Sequence, residues 1–174
     1  MPRDEKTVAR GKQSAGLLMF RRREGRPLEV LLAHPGGPLW ARKDLGAWTI
    51  PKGEYTDAEE PLVAAQREFV EETGFAPVAP FMSLSAIKQK SGKVVSAWAF
   101  EGDCDPSELR SNTFQLEWPK GSGRMHDWPE VDRAAWFTVA EARERILPAQ
   151  GPLLDRLSQL IEGGGSGPKA PADS

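Results

Sequence analysis

The segment Gly53 to Phe75, GEYTDAEEPLVAAQREFVEETGF, constrains this chain more than any other stretch. On a helical wheel at about 100° per residue, Leu62, Val63, Ala65, Phe69 and Val70 share one broad apolar arc. Glu68, Glu71 and Glu72 share a narrower arc on the other side. The helix therefore has one face for a core and a separate carboxylate face. Asp57 reads as its N-cap. Pro61 suits the first turn, where a missing N–H costs nothing. Gly74 suits the C-terminal stop.

The ordinary reading of such an acidic cluster is a solvated helix face. Two facts weigh against it here. Like charges at i,i+4 destabilise a helix by a few tenths of a kcal/mol, and acids at a C-terminal end oppose the helix dipole. Only Arg67 is close enough in sequence to compensate. A divalent cation joining the carboxylates resolves both costs. An all-oxygen donor set suits Mg²⁺ or Mn²⁺ rather than zinc.

The remaining sequence predicts strands interleaved with helices. Ala15–Phe20 and Leu28–Ala33 read as strands split by a basic turn, RRREGRP. The Pro/Gly/Trp-rich stretch His34–Lys52 reads as a long loop with a short strand near Trp48–Ile50. Met82–Gln89 and Lys93–Phe100 read as strands joined at KSGK, with a further short strand over Thr113–Trp118. Ala134–Thr138 reads as a strand and Val139–Ile146 as a short helix. Gln150–Ile161 reads as an amphipathic helix with Leu153, Leu154, Leu157, Leu160 and Ile161 on one face. This order predicts an α/β (α+β) class, with a mixed sheet between helices in an α/β/α sandwich. Residues 1–12 read as a flexible arm, 13–162 as one domain, and 163–174 as a flexible tail.

Composition narrows the function classes. With 23 Lys+Arg against 25 Asp+Glu, the net charge of −2 gives no general pull on nucleic acid or an anionic membrane. The single Cys104 excludes a disulfide framework and a thiolate-rich zinc site. No segment reads as a signal peptide or a membrane span, so a cytoplasmic location is expected. His34 and His126 have no neighbours at metal-ligand spacing and read as non-ligands.

Gly53, five residues, Glu59, seven residues, then Arg67-Glu68-Phe69-Val70-Glu71-Glu72-Thr73-Gly74-Phe75 resembles a complete Nudix box. The resemblance implies the Nudix fold and a hydrolase that splits a diphosphate linkage in a nucleoside diphosphate joined to another group, with Mg²⁺ as cofactor and Mn²⁺ able to substitute. Catalytic roles are implied for Glu68, Glu71, Glu72 and a downstream acid. Glu68 and Glu72 become the main metal ligands, Glu71 shares a second ion or its water, and the Lys52 carbonyl is a backbone ligand. Gly53, Glu59, Arg67 and Gly74 become structural, with Arg67 pairing with Glu59 and steering the cluster. For the downstream acid, Glu130 in PEVDRAAWF is preferred over Glu117 in FQLEWPK.

Trp48-Thr49-Ile50-Pro51-Lys52-Gly53 resembles the W-x-x-P-K-G run of Nudix enzymes acting on diadenosine and diphosphoinositol polyphosphates. That makes a polyphosphate nucleotide the expected substrate and Lys52, Lys43, Lys88 and Trp40 expected contacts, with basic residues as phosphate countercharges. Trp40 and Trp128 can stack on a base, whereas Trp98 and Trp136 read as core. The tyrosine that dinucleoside-polyphosphate members often carry beyond the box has no counterpart, because Tyr55 is the chain's one tyrosine. The alternatives are a sanitising hydrolase of non-standard nucleoside triphosphates and a non-catalytic nucleotide sensor.

Overall fold

The computed structural model describes residues 13–165, and side chains to residue 163. The expected arm over 1–12 and most of the expected tail lie outside the described residues.

The central strand β1 (Gln13–Arg21) is buried along all but its ends. Its side chains alternate between two cores. Ala15, Leu17 and Met19 enter one, and Leu18 and Phe20 the other. Around it run β2 (Glu29–Pro35), β3 (Lys52–Glu54), β4 (Met82–Lys88), β5 (Val94–Glu101) and β8 (Val131–Thr138). The order is β4-β5-β1-β2-β8, with β3 pairing the start of β1. β1 is parallel to β5 and antiparallel to β2 and β3, so the sheet is mixed. A separate two-stranded sheet, β6 (Thr113–Glu117) with β7 (Met125–Pro129), stands between β5 and β8.

Helix α1 (Pro61–Thr73) covers one face. Its Ala64, Ala65 and Phe69 meet Ala15, Leu17, Leu31 and Phe100. The Phe69 and Phe100 rings meet edge to face at 5.2 Å. Helices α2 (Val139–Arg145) and α3 (Gly151–Gly165) cover the other, where Ala142, Leu153, Leu154 and Leu157 meet Leu18, Leu32 and Ala97. The sandwich read from the sequence is the observed architecture. No helix among the described residues is long and apolar enough to cross a membrane.

The structure departs from expectation at several places. Helix α1 begins at Pro61, capped by Glu60 in extended conformation without a side-chain bond, not by Asp57. A residue before proline is sterically driven out of the helical region, so the helix cannot extend back past Pro61. Asp57 instead accepts from Gln13 Nε2 at 3.1 Å. Val63 and Val70 are exposed, while Ala64 and Thr73 are buried, so the apolar stripe is narrower and rotated. Leu160 of α3 is likewise exposed, and α3 continues past residue 162 to Gly165. Trp48–Ile50 forms only isolated bridges, Trp48 with Ile146 and Thr49 with Ala33, and the short strand falls at Lys52–Glu54. β8 starts at Val131 rather than Ala134. Strand β7 was not read from the sequence, because MHDWP lacks alternation and its partner β6 supplies the pairing.

Candidate active site

The short strand β3 and helix α1 are joined by residues 55–60, which places Lys52 beside the C-terminal turn of α1. The Lys52 N–H donates to Glu72 Oε1 at 3.2 Å. Gly53 faces Glu68 so closely that a Cβ there would lie 2.0 Å from its carboxyl carbon. A side chain at position 53 would therefore force the Glu68 carboxylate to move. Gly74 ends the helix with φ +79°, and its N–H donates to Val70 O at 2.8 Å.

Arg67 organises the acids from the other side. Its Nε and Nη2 grip Glu59 in a bidentate pair at 2.8 and 2.9 Å, and its Nη1 reaches Glu68 at 2.8 Å and Glu71 at 3.2 Å. These two clamps, Arg67 on Glu68 and Glu71 and the Lys52 amide on Glu72, explain how like charges are tolerated on one helix turn.

All three glutamates line one open cavity of about 440 Å³. Glu130 lines it too, brought by the single residue that separates β7 from β8. Its backbone is tied at both ends: Glu130 N–H donates to Asn112 O at 2.7 Å, and Glu130 O accepts from Gly36 N–H at 3.0 Å. Glu117 stands elsewhere, with its carboxylate accepting from the Gly121 and Gly123 N–H groups in the β6–β7 turn. Lys52, Lys93, Ser14 and Asn112 line the same cavity, with the Lys93 ammonium paired to Glu54 at 2.8 Å. Trp40, Lys43 and Lys88 do not line the cavity. Trp40 packs against the core under α2 and α3, with the Lys43 ammonium 5.1 Å from its ring, and Lys88 is exposed on β4. An apolar ring in a turn is better satisfied by a core than by an open cleft. Trp128 pairs across the hairpin with Phe114, beside His126. Trp98 and Trp136 are partly buried against the α1-side core, and Trp136 carries the Arg21 guanidinium 4.1 Å above its ring. His34 is fully buried, its ring nitrogens at 2.9 Å from Asp132 Oδ1 and 2.6 Å from Lys43 O.

Burial dominates the electrostatics. It pushes the Glu72 carboxyl up to about 8, against the pull of the Lys52 amide and ammonium, with Glu68 and Glu130 adding to the rise. The Glu68 carboxyl is also raised, chiefly by burial and against the pull of Arg67. The Lys52 ammonium is pushed down by the same burial. These groups fit a divalent cation. The donors are all oxygens, Gly53 lets the Glu68 carboxyl lie against the backbone of β3, and a buried carboxylate with one amide contact gains most from a cation. Among the described residues no three acidic, histidine or cysteine side chains already stand in ligating geometry; Glu68 and Glu71 are held by Arg67, and Glu72 by the Lys52 amide.

Sequence reasoning passed over Lys93 and Ser14. Lys93 was legible as a charge in KSGK, but which lysine of that turn reaches the cleft depends on strand register. Ser14 lies one residue before the strand expected at Ala15–Phe20, and the structure extends that strand back to Gln13.

An acidic helix end and two lysines lining one open cleft, on a mixed sheet between helices, agree with the class the family match shows: hydrolases of phosphorus-containing acid anhydrides. The chain belongs to the Nudix family, with the NUDIX domain model matching residues 10–157. Solved structures agree in fold. An Ap4A hydrolase of C. elegans, as a binary complex, is 22% identical with TM-score 0.56, covering 86% of this chain and 98% of that one. The NUDIX domain of Shewanella oneidensis NrtR, cocrystallised with ADP ribose, is 15% identical with TM-score 0.58, covering 86% and 87%. RenU, a Nudix hydrolase from M. smegmatis, is 18% identical with TM-score 0.54, covering 87% and 88%. Comparison with curated proteins returns no match.

Proposed function

We propose that this protein is a Mg²⁺-dependent pyrophosphohydrolase that cleaves a diphosphate linkage in a nucleoside diphosphate carrying a further group, with a dinucleoside polyphosphate or related polyphosphate as the substrate class. One observation carries the reading: Glu68, Glu71, Glu72 and Glu130 line a single open cavity together with Lys52 and Lys93. Glu68, Glu71, Glu72, Glu130 and the Lys52 carbonyl would hold the cation. When bound, a divalent cation neutralises phosphate charge and lowers the pKa of water.

The chain's own groups do the rest. Lys52 and Lys93 offset the charge of the bound phosphates. Arg67, held by Glu59, fixes Glu68 and Glu71 on their helix turn. A glutamate of the cluster takes the proton as water oxygen bonds to one phosphorus and the bridging P–O bond breaks, releasing the second phosphate with its substituent. The W-x-x-P-K-G run and the two lysines lining the cleft support the polyphosphate class. A panel of Ap4A-type dinucleotides, nucleoside triphosphates, ADP-ribose and diphosphoinositol phosphates, each with Mg²⁺ and with excess EDTA, tests the reading. Preferred turnover of the longest phosphate chains, abolished by EDTA, is the expected result. Full activity in EDTA would overturn the cation requirement, and preference for triphosphates would favour the sanitising alternative.

A further inference from the structure

The cleft is lined by an unexplained hydroxyl. Ser14 is 1% exposed, and its Oγ has no hydrogen-bond partner among the described residues. A buried hydroxyl left unpaired costs about 1–3 kcal/mol, so such a group calls for a reason. Its neighbours supply one. Ser14 stands opposite Glu54 in the β1–β3 ladder and opposite Val95 in the β1–β5 ladder. Lys93 lies two residues before Val95, and its carbonyl accepts from Gln89 N–H, which extends the strand alternation to it. Glu54, Ser14 and Lys93 therefore share a face. The Lys93 ammonium reaches Glu54 Oε2 at 2.8 Å, so the ion pair bridges the two strands that flank β1 at Ser14. All three residues line the cavity that holds the glutamates of α1. The Glu54 side chain is 59% exposed, so it can leave for water at small cost.

We propose that Ser14, Lys93 and Glu54 form an exchangeable phosphate subsite. A substrate phosphate other than the one attacked displaces Glu54 from Lys93, and the Ser14 hydroxyl donates to that phosphate. Glu54 acts as a placeholder that keeps Lys93 paired until an anion arrives. The proposal deepens the hydrolase reading and rests on it for the identity of the phosphate donor. Its test is a binding measurement, so failure of hydrolysis and failure of the subsite are told apart.

The probe is inorganic tripolyphosphate, titrated calorimetrically into the full chain with Mg²⁺ present, with ³¹P NMR confirming that it stays intact. S14A and K93A should each weaken binding about tenfold, the loss of one charge-assisted hydrogen bond. E54Q should tighten it severalfold, because Lys93 is no longer held. K88A, outside the cavity, should leave it unchanged. S14A should also keep or raise the wild-type melting temperature, since no bond is lost with the hydroxyl. Wild-type affinity in S14A would overturn the proposal. So would weakening by E54Q to match K93A, which would make the ion pair a structural tie.

Discussion

Replacing Glu72 by glutamine separates the electrostatic cost of this site from its use. The folded carboxyl stands at about 8 against an ordinary 4.5, mainly because it is buried. The native state thus holds a proton that the unfolded chain releases between those two values. The associated stability is fully present below about pH 4.5 and is lost as pH rises through about 8. The gap corresponds to roughly 5 kcal/mol, of which about 4 falls between about pH 5 and pH 9. For a domain of this size that is a fall of about 10 °C in melting temperature. Glutamine keeps an acceptor for the Lys52 amide and cannot ionise, so Glu72→Gln should lack this component. The assay is thermal unfolding followed by circular dichroism in EDTA across that range, read as wild type minus variant. In excess Mg²⁺ the difference should shrink, because a cation stabilises the ionised form. Turnover should fall at least about 10²-fold in the same variant, through lost charge stabilisation. Parallel pH profiles for the two proteins in EDTA would refute the reasoning.

Gly53→Ala should displace Glu68, whose carboxyl occupies the space of the new methyl group, and should lower kcat by about 10-fold or more with a small change in melting temperature; steady-state kinetics beside a thermal melt checks this. Phe69→Ala removes a fully buried ring from the α1–sheet contact and should cost about 3–5 kcal/mol in urea unfolding. Lys52→Ala keeps the backbone carbonyl and deletes the ammonium. It should raise KM about ten- to hundredfold for the longest phosphate chains and less for ADP-ribose, as paired kinetic assays would show.

The part of the site written on one helix turn was legible in the sequence. The period of the helix alone puts Glu68, Glu71 and Glu72 together, and Pro61 and Gly74 mark where it starts and stops. Glu130 was accessible as an acid at the lead-in to a late strand. What escaped depends on pairing between distant segments. The choice of Lys93 over Lys88 is made by the register of β5 on β1. The place of Ser14 is made by β3 crossing beside it, and β7 exists because β6 offers it a partner. Asp57 was misread for a local reason, the steric reach of Pro61 upon the residue before it.

Glu130 has a consequence for how this architecture diversifies. The hairpin of β6 and β7 departs at Asn112 and returns at Glu130, and a 2.7 Å hydrogen bond between those two residues closes it at the base. The hairpin is thus a cartridge plugged into a fixed socket. Its length and side chains can be exchanged to redraw one wall of the cleft, while the acid at its root and the register of β8 stay where the main sheet holds them.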